Sequence, residues 1–184
     1  MISGLFRRTP KQDNIDALYG AIVAQGRAQA FYRDFGVPDT VTGRLEMILI
    51  HTFLLFRRAR GGDGVLRGIG QGVFDRFCDD MDANLREMGV GDLAVPKHMQ
   101  RIGEAFYGRA AVYDAALDAN DQEALMRGVM RNVFPEGPGQ TERADGLAAY
   151  IQAADVELSR ADDTHLAGGQ ISFPVPERYL TRQQ

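Results

Sequence analysis

With 184 residues, 45% of them hydrophobic, the chain is long enough for one domain with its own core and short for two. Its 21 Lys and Arg against 25 Asp and Glu give a net charge of −4, which excludes a general attraction to nucleic acid. The one cysteine, Cys78, excludes an internal disulfide, so nothing in the chain requires an oxidising compartment.

The charge is unevenly placed, with +4 over residues 1–67 and −8 over residues 68–184. The first residues, MISGLFRRTP, lack the apolar run and small-residue cleavage site of a secretory signal, and no mitochondrial extension is evident. A cytoplasmic protein is expected.

The sequence predicts an all-α fold, a single compact domain of about six helices with a proline-containing C-terminal tail. Residues 1–12 read as a basic N-terminal segment, 13–166 as the helical domain and 167–184 as the extended tail. Ile15, Leu18, Tyr19, Ile22 and Val23 recur at helical spacing behind a cap at Asp13, predicting a first helix over about 13–30. The turn Phe35-Gly36-Val37-Pro38-Asp39-Thr40 breaks it, and Asp39 or Thr40 caps a second helix that runs to about Arg58. Gly61, Gly62 and Gly64 lead into a third, about 67–88, whose stripe is Phe74, Phe77, Cys78, Met81, Leu85 and Met88. Gly89 stands where a C-terminal cap belongs, and Pro96 opens a fourth helix carrying Met99, Ile102, Phe106, Val112 and Tyr113, with Gly108 as its kink point. Asn120 and Glu123 have capping-box spacing for a fifth helix ended by Pro135. The sixth, about 142–163, places Leu147, Tyr150, Ile151, Ala154 and Leu158 on one face. The prolines after Ile171 predict an extended strap instead of a further helix.

Leu45 to Phe56 is apolar except for Glu46, His51 and Thr52, which at about 100° per residue point in separate directions. A helix with no polar face belongs at the centre of a bundle, or against lipid or a partner. This run is far below the ~20 residues that cross a bilayer. Arg57, Arg58 and Arg60 close it and, with Arg7 and Arg8, are the candidate contacts for an anionic membrane surface.

Asp75, Asp79 and Asp82 share one side of the third helix. Asp75 and Asp79 have the spacing with which some isoprenoid synthases hold magnesium diphosphate, so a magnesium-dependent isoprenoid-type enzyme is one alternative. That chemistry needs a second Asp-rich motif on a facing helix, and the sequence has none; a solvated acidic face is the preferred reading. Glu46 and His51 lack the spacing of a carboxylate-bridged di-iron bundle, and His51 reads as a hydrogen-bonded core histidine. His98 and His165 are scattered, and Cys78 sits in an apolar stripe with no adjacent histidine. No phosphate-binding glycine loop, nucleophile elbow or Cys-x-x-Cys occurs. These residues predict no catalysis, no small-molecule substrate, no cofactor and no metal.

A longer ordered pattern runs from Phe31 to Tyr113. It comprises Phe31-Tyr32, Phe35 to Thr40, Gly43-Arg44, His51, Phe74-Asp75 and Asp80-Met81-Asp82, then Asn84 to Asp92, Pro96-Lys97 and Ala105-Phe106-Tyr107-Gly108-Arg109. This set resembles the ubiquinol–cytochrome c chaperone family, assembly factors of respiratory complex III, and the chain looks like a short bacterial member. The resemblance implies an all-helical, non-catalytic domain that binds newly made cytochrome b as client and assists biogenesis of ubiquinol–cytochrome c reductase. Mitochondrial relatives work with a second small assembly protein and associate with the translating ribosome and the inner membrane. Client contacts are then expected at two helix junctions, Phe35, Pro38, Asp39 and Arg44 at the first and Met88, Asp92 and Lys97 at the second. The implied location is the cytoplasm, including a peripheral position on the inner face of the cytoplasmic membrane. A peripheral lipid-binding helical protein is the other alternative, and predicts liposome association that high salt abolishes.

Overall fold

Side-chain caps fix where most of the helices begin. The computed structural model describes residues 9–135 and 139–180, with the backbone alone at Pro10. Helix α1 (Pro10–Gly26) starts three residues before the expected Asp13, because the Thr9 hydroxyl accepts the Gln12 N–H and Pro10 takes the first helical position. It also ends earlier than expected. Gly26 packs against the Ile48 backbone, where an added Cβ would lie 3.3 Å from the Ile48 nitrogen, and the Tyr32 hydroxyl donates to the Gly26 carbonyl at 2.6 Å. A separate short helix, α2 (Gln29–Arg33), follows.

Helix α3 (Val41–Arg60) is capped by Thr40, whose hydroxyl accepts the Gly43 N–H at 3.1 Å. Asp63 caps α4 (Gly64–Glu87). Helix α5 (Val95–Asp118) runs unbroken through Gly108. The cap of α6 (Gln122–Val133) is Asp121, not Asn120, which instead takes the left-handed conformation (φ 51°) that ends α5. The expected sixth helix is α7 (Thr141–Ser159), which ends before the expected 163, and a short α8 (Asp163–Ala167) follows it because Asp162 caps a new start. Thus, among the described residues, six helices of twelve residues or more and two short ones make an all-α fold, and no strand occurs.

Helix α3 is the axis of the bundle. Every residue from Glu46 to Leu55 is buried, and α1, α4, α5, α6 and α7 all pack against it. A helix without a polar face has no side to turn to water, so it takes the place where neighbours surround it. The C-terminal segment is a packed strap: Pro174 and Pro176 are buried, a 3₁₀ turn (Pro176–Tyr179) follows, and the Phe173 ring meets His51 edge-on at 4.9 Å.

The α4–α5 hairpin departs from this enclosure. Its base is core, with Phe74, Phe77 and Phe106 in one aromatic cluster and the Tyr19 hydroxyl donating to Asp80 at 2.8 Å. From Met81 to Ala105, however, Leu85 and Val95 are the only buried residues. The outer half of the hairpin is an arm largely open to solvent.

Candidate functional site

Two surfaces gather the residues singled out in the sequence. The first is a cleft of about 630 Å³ between the start of α3 and the end of α6, lined by Gly36, Pro38, Thr40, Thr42, Gly43, Glu46 and, across from them, Asn132 to Pro135 and Gln140. Two glycines shape it. Gly36 turns with φ 69°, and a Cβ at Gly43 would overlap the Pro38 carbonyl oxygen, so the turn closes on α3 only with glycine there.

At the bottom of the cleft stands Glu46, 2% exposed, in a forked pair with Arg109 of α5: Nε donates to Oε2 at 2.7 Å and Nη2 to Oε1 at 2.5 Å. Burial pushes the Glu46 carboxyl pKa up, and the hydrogen bonds and charge of Arg109 pull against that rise. Of the four residues expected at this junction, Pro38 lines the cleft, and Asp39 and Arg44 form an exposed ion pair at 2.6 Å beside it. Phe35 is 1% exposed and anchors the turn from the core, against the Phe31 ring at 5.7 Å.

The second surface is the tip of the arm. Met88 is 60% exposed and Leu93 fully exposed, and Lys97 is also exposed. Arg86 ties the tip together, bonding Asp82 at 2.6 Å on its own helix and reaching Asp92 across the loop. Met81, Met99 and Ile102 continue a half-covered apolar edge down the arm. Methionine is unbranched and polarisable, which suits a surface that must adapt to varied apolar shapes.

The arginines that close α3 are engaged by the fold. Arg57 binds Asp114, Asp118 and Asp155 at 2.7 to 2.9 Å. Burial disfavours its charge, and the three carboxylate bonds outweigh that and raise its pKa. Arg58 donates to the Leu158 and Ala161 carbonyls and to Asp163, and Arg60 pairs with Asp114 at 2.8 Å. Arg7 and Arg8 lie outside the described residues. No helix is long and apolar enough to cross a membrane among the described residues.

The histidine and acidic candidates resolve into structure. His51 is fully buried; since a carbonyl only accepts, Nδ1 donates to the Met47 oxygen at 2.6 Å, and Nε2 therefore accepts from the Tyr150 hydroxyl at 2.8 Å. Burial lowers its pKa to about 4, so the ring is neutral. Asp75 accepts from Gln71 at 2.7 Å, Asp79 is exposed, and no group of three or more His, Cys, Asp or Glu that could hold a metal exists among the described residues. Burial, then Asp75 and Asp79, raise the Cys78 pKa, the reverse of what activates a thiol.

Sequence reasoning weighed Glu46 only beside His51 and Arg109 only as part of the family pattern, so it missed their pairing, and it did not single out the α6 wall. A lone carboxylate in an apolar run signals a buried partner, but that partner lies 63 residues away. Asn132 to Pro135 carry no pattern that marks them.

Known proteins share this architecture. The chain is similar to the crystal structure of the Cbp3 homolog from Brucella abortus, with a TM-score of 0.86 and 39% identity, covering 97% of this chain and 99% of that one. It is also 26% identical to mitochondrial protein CBP3 of Saccharomyces cerevisiae over 153 residues; that is 81% of this chain, which spans 45% of the yeast protein's length. The ubiquinol-cytochrome C chaperone model matches residues 33–173, a span that contains both the cleft and the arm. The chain therefore belongs to the ubiquinol–cytochrome c chaperone family.

Proposed function

We propose that this chain is a non-catalytic assembly chaperone of complex III that holds newly made cytochrome b through the cleft and the arm. The observation that carries the reading is the family match, which runs continuously through every residue that builds these two surfaces. The geometry supports holding over chemistry. The arm tip exposes the adaptable apolar side chains Met88 and Leu93 beside its charged ones, and Arg57, Arg58, Arg86 and Arg109 are committed to ion pairs. In this reading the client draws the chain to the inner face of the cytoplasmic membrane, and the aspartates that pair with Arg57, Arg58 and Arg60 reduce what these three offer to anionic lipid.

Site-specific photo-cross-linking from Leu93 and from Thr42, in membranes of the host with cytochrome b synthesis on or off, tests this. Adducts with cytochrome b that vanish when its synthesis stops are expected. Adducts with lipid alone, or cytochrome b adducts equally frequent from an exposed control position such as Glu123, would overturn the reading.

A further inference from the structure

The walls of the cleft and the carboxylate at its bottom specify more than a generic apolar client. Among the described lining residues Glu46 is the only ionisable one; Arg143, which reaches the rim beside Gly36, is held by the Gln140 side-chain oxygen at 3.0 Å. Arg109 approaches Glu46 from α5 and takes one lone pair on each oxygen, while a carboxylate has about four such positions. Acceptor capacity therefore remains on the cleft side. Asn132 offers more, since its amide nitrogen is turned to the Tyr113 hydroxyl at 3.1 Å. The C-terminal end of α6 also lines the cleft, and a helix end of that polarity favours a cation. The opposing N-terminal end of α3 favours an anion, but the Thr40 hydroxyl already takes one of its free N–H groups. Pro38, Val133, Phe134 and Pro135 supply apolar flanks.

The geometry points to the cleft as the receptor for a single Lys or Arg side chain of an extended client segment, its stem along Pro38, Phe134 and Pro135 and its head on Glu46. Long basic side chains divide in this way, with an apolar stem and a charged tip. The Glu46–Arg109 pair gives the cleft its polarity: it places the negative partner toward the cleft and the positive one behind it. This inference rests on the chaperone reading, since the basic side chain belongs to the client.

The full chain is to be tested on overlapping peptides that tile the host's own cytochrome b, each Lys and Arg replaced in turn by norleucine. Two variants accompany it, both checked for unchanged helical content and melting temperature. Glu46→Gln removes the charge and keeps an acceptor for Arg109. Thr42→Arg, at an exposed position on the cleft wall, fills the cleft with the chain's own guanidinium and leaves the ion pair alone. The expected result is a peptide whose affinity falls at least tenfold on losing one basic residue and falls likewise with each variant. Norleucine peptides that bind as well as their parents, or Thr42→Arg binding as the unaltered chain does, would overturn the cleft assignment and leave the chaperone reading standing. Failure of the unaltered chain to bind any peptide would overturn both.

Discussion

Helix α3 and the α4–α5 arm are both helices with methionine, leucine and other apolar residues in register, yet one is sealed and the other open. From Glu46 to Leu55 nothing on α3 meets water, whereas on the arm Met88 and Leu93 stand exposed beyond Leu85 and Val95. The difference lies in the neighbours and not in the helices themselves. Five long helices surround α3, while the outer half of the α4–α5 hairpin is covered only at Leu85 and Val95. Apolar area removed from water stabilises the fold; apolar area left out is available to a partner.

That contrast can be broken at several points. The largest effect is expected in the core. Phe31, fully buried against Phe35, His51 and Tyr150, should cost about 4 kcal/mol of unfolding free energy when changed to Ala, measured by denaturant titration. Next comes the Glu46–Arg109 pair, its carboxylate buried and its guanidinium partly exposed, where Glu46→Ala leaves Arg109 without its carboxylate and should cost about 3 kcal/mol. The double variant Glu46→Leu with Arg109→Met should recover most of that loss, and a double variant as unstable as the single would show that the pair stabilises the fold beyond its own desolvation.

His51 gives the core a pH signature. In the unfolded chain its pKa is near 6.5 and in the fold about 4, so the unfolded state takes up the proton first as pH falls. Its contribution is fully present above pH 6.5 and is lost as pH drops to about 4, a change of about 3 kcal/mol from a shift of this size. Stability measured across that window should fall more steeply for the native chain than for His51→Gln, and parallel curves would refute it. The smallest effect on stability belongs to the arm. Met88→Ser with Leu93→Ser should change unfolding free energy by less than about 0.5 kcal/mol while lowering cytochrome b cross-linking several-fold. A large loss of stability there would show that the arm is core after all.

Much of this contrast is legible in the sequence, for identifiable reasons. The period of the apolar residues placed α3, α4, α5 and α7, and the absence of a polar face placed α3 at the centre. Caps were legible when apolar periodicity began just behind them, as at Thr40, and missed when polar residues intervened, as at Thr9 and Asp121. The break between α7 and α8 escaped because Asp162 reads equally well as a surface residue of a continuing helix. Of the cleft, the turn from Phe35 to Thr40 and Gly43 stood out, but the opposite wall at Asn132 to Pro135 did not.

The sequence by itself determined the helical class, the burial of α3 and the resemblance to the family, because these follow from spacing and residue type along the chain. Tertiary structure decided that Glu46 pairs with Arg109, that Arg57 is held by three aspartates from α5 and α7, and that the α4 stripe passes from core at Phe77 to open surface at Met88. Each of these depends on which distant element lies alongside. A side chain's period sets the face it occupies, and only the packing of the whole chain sets what that face meets.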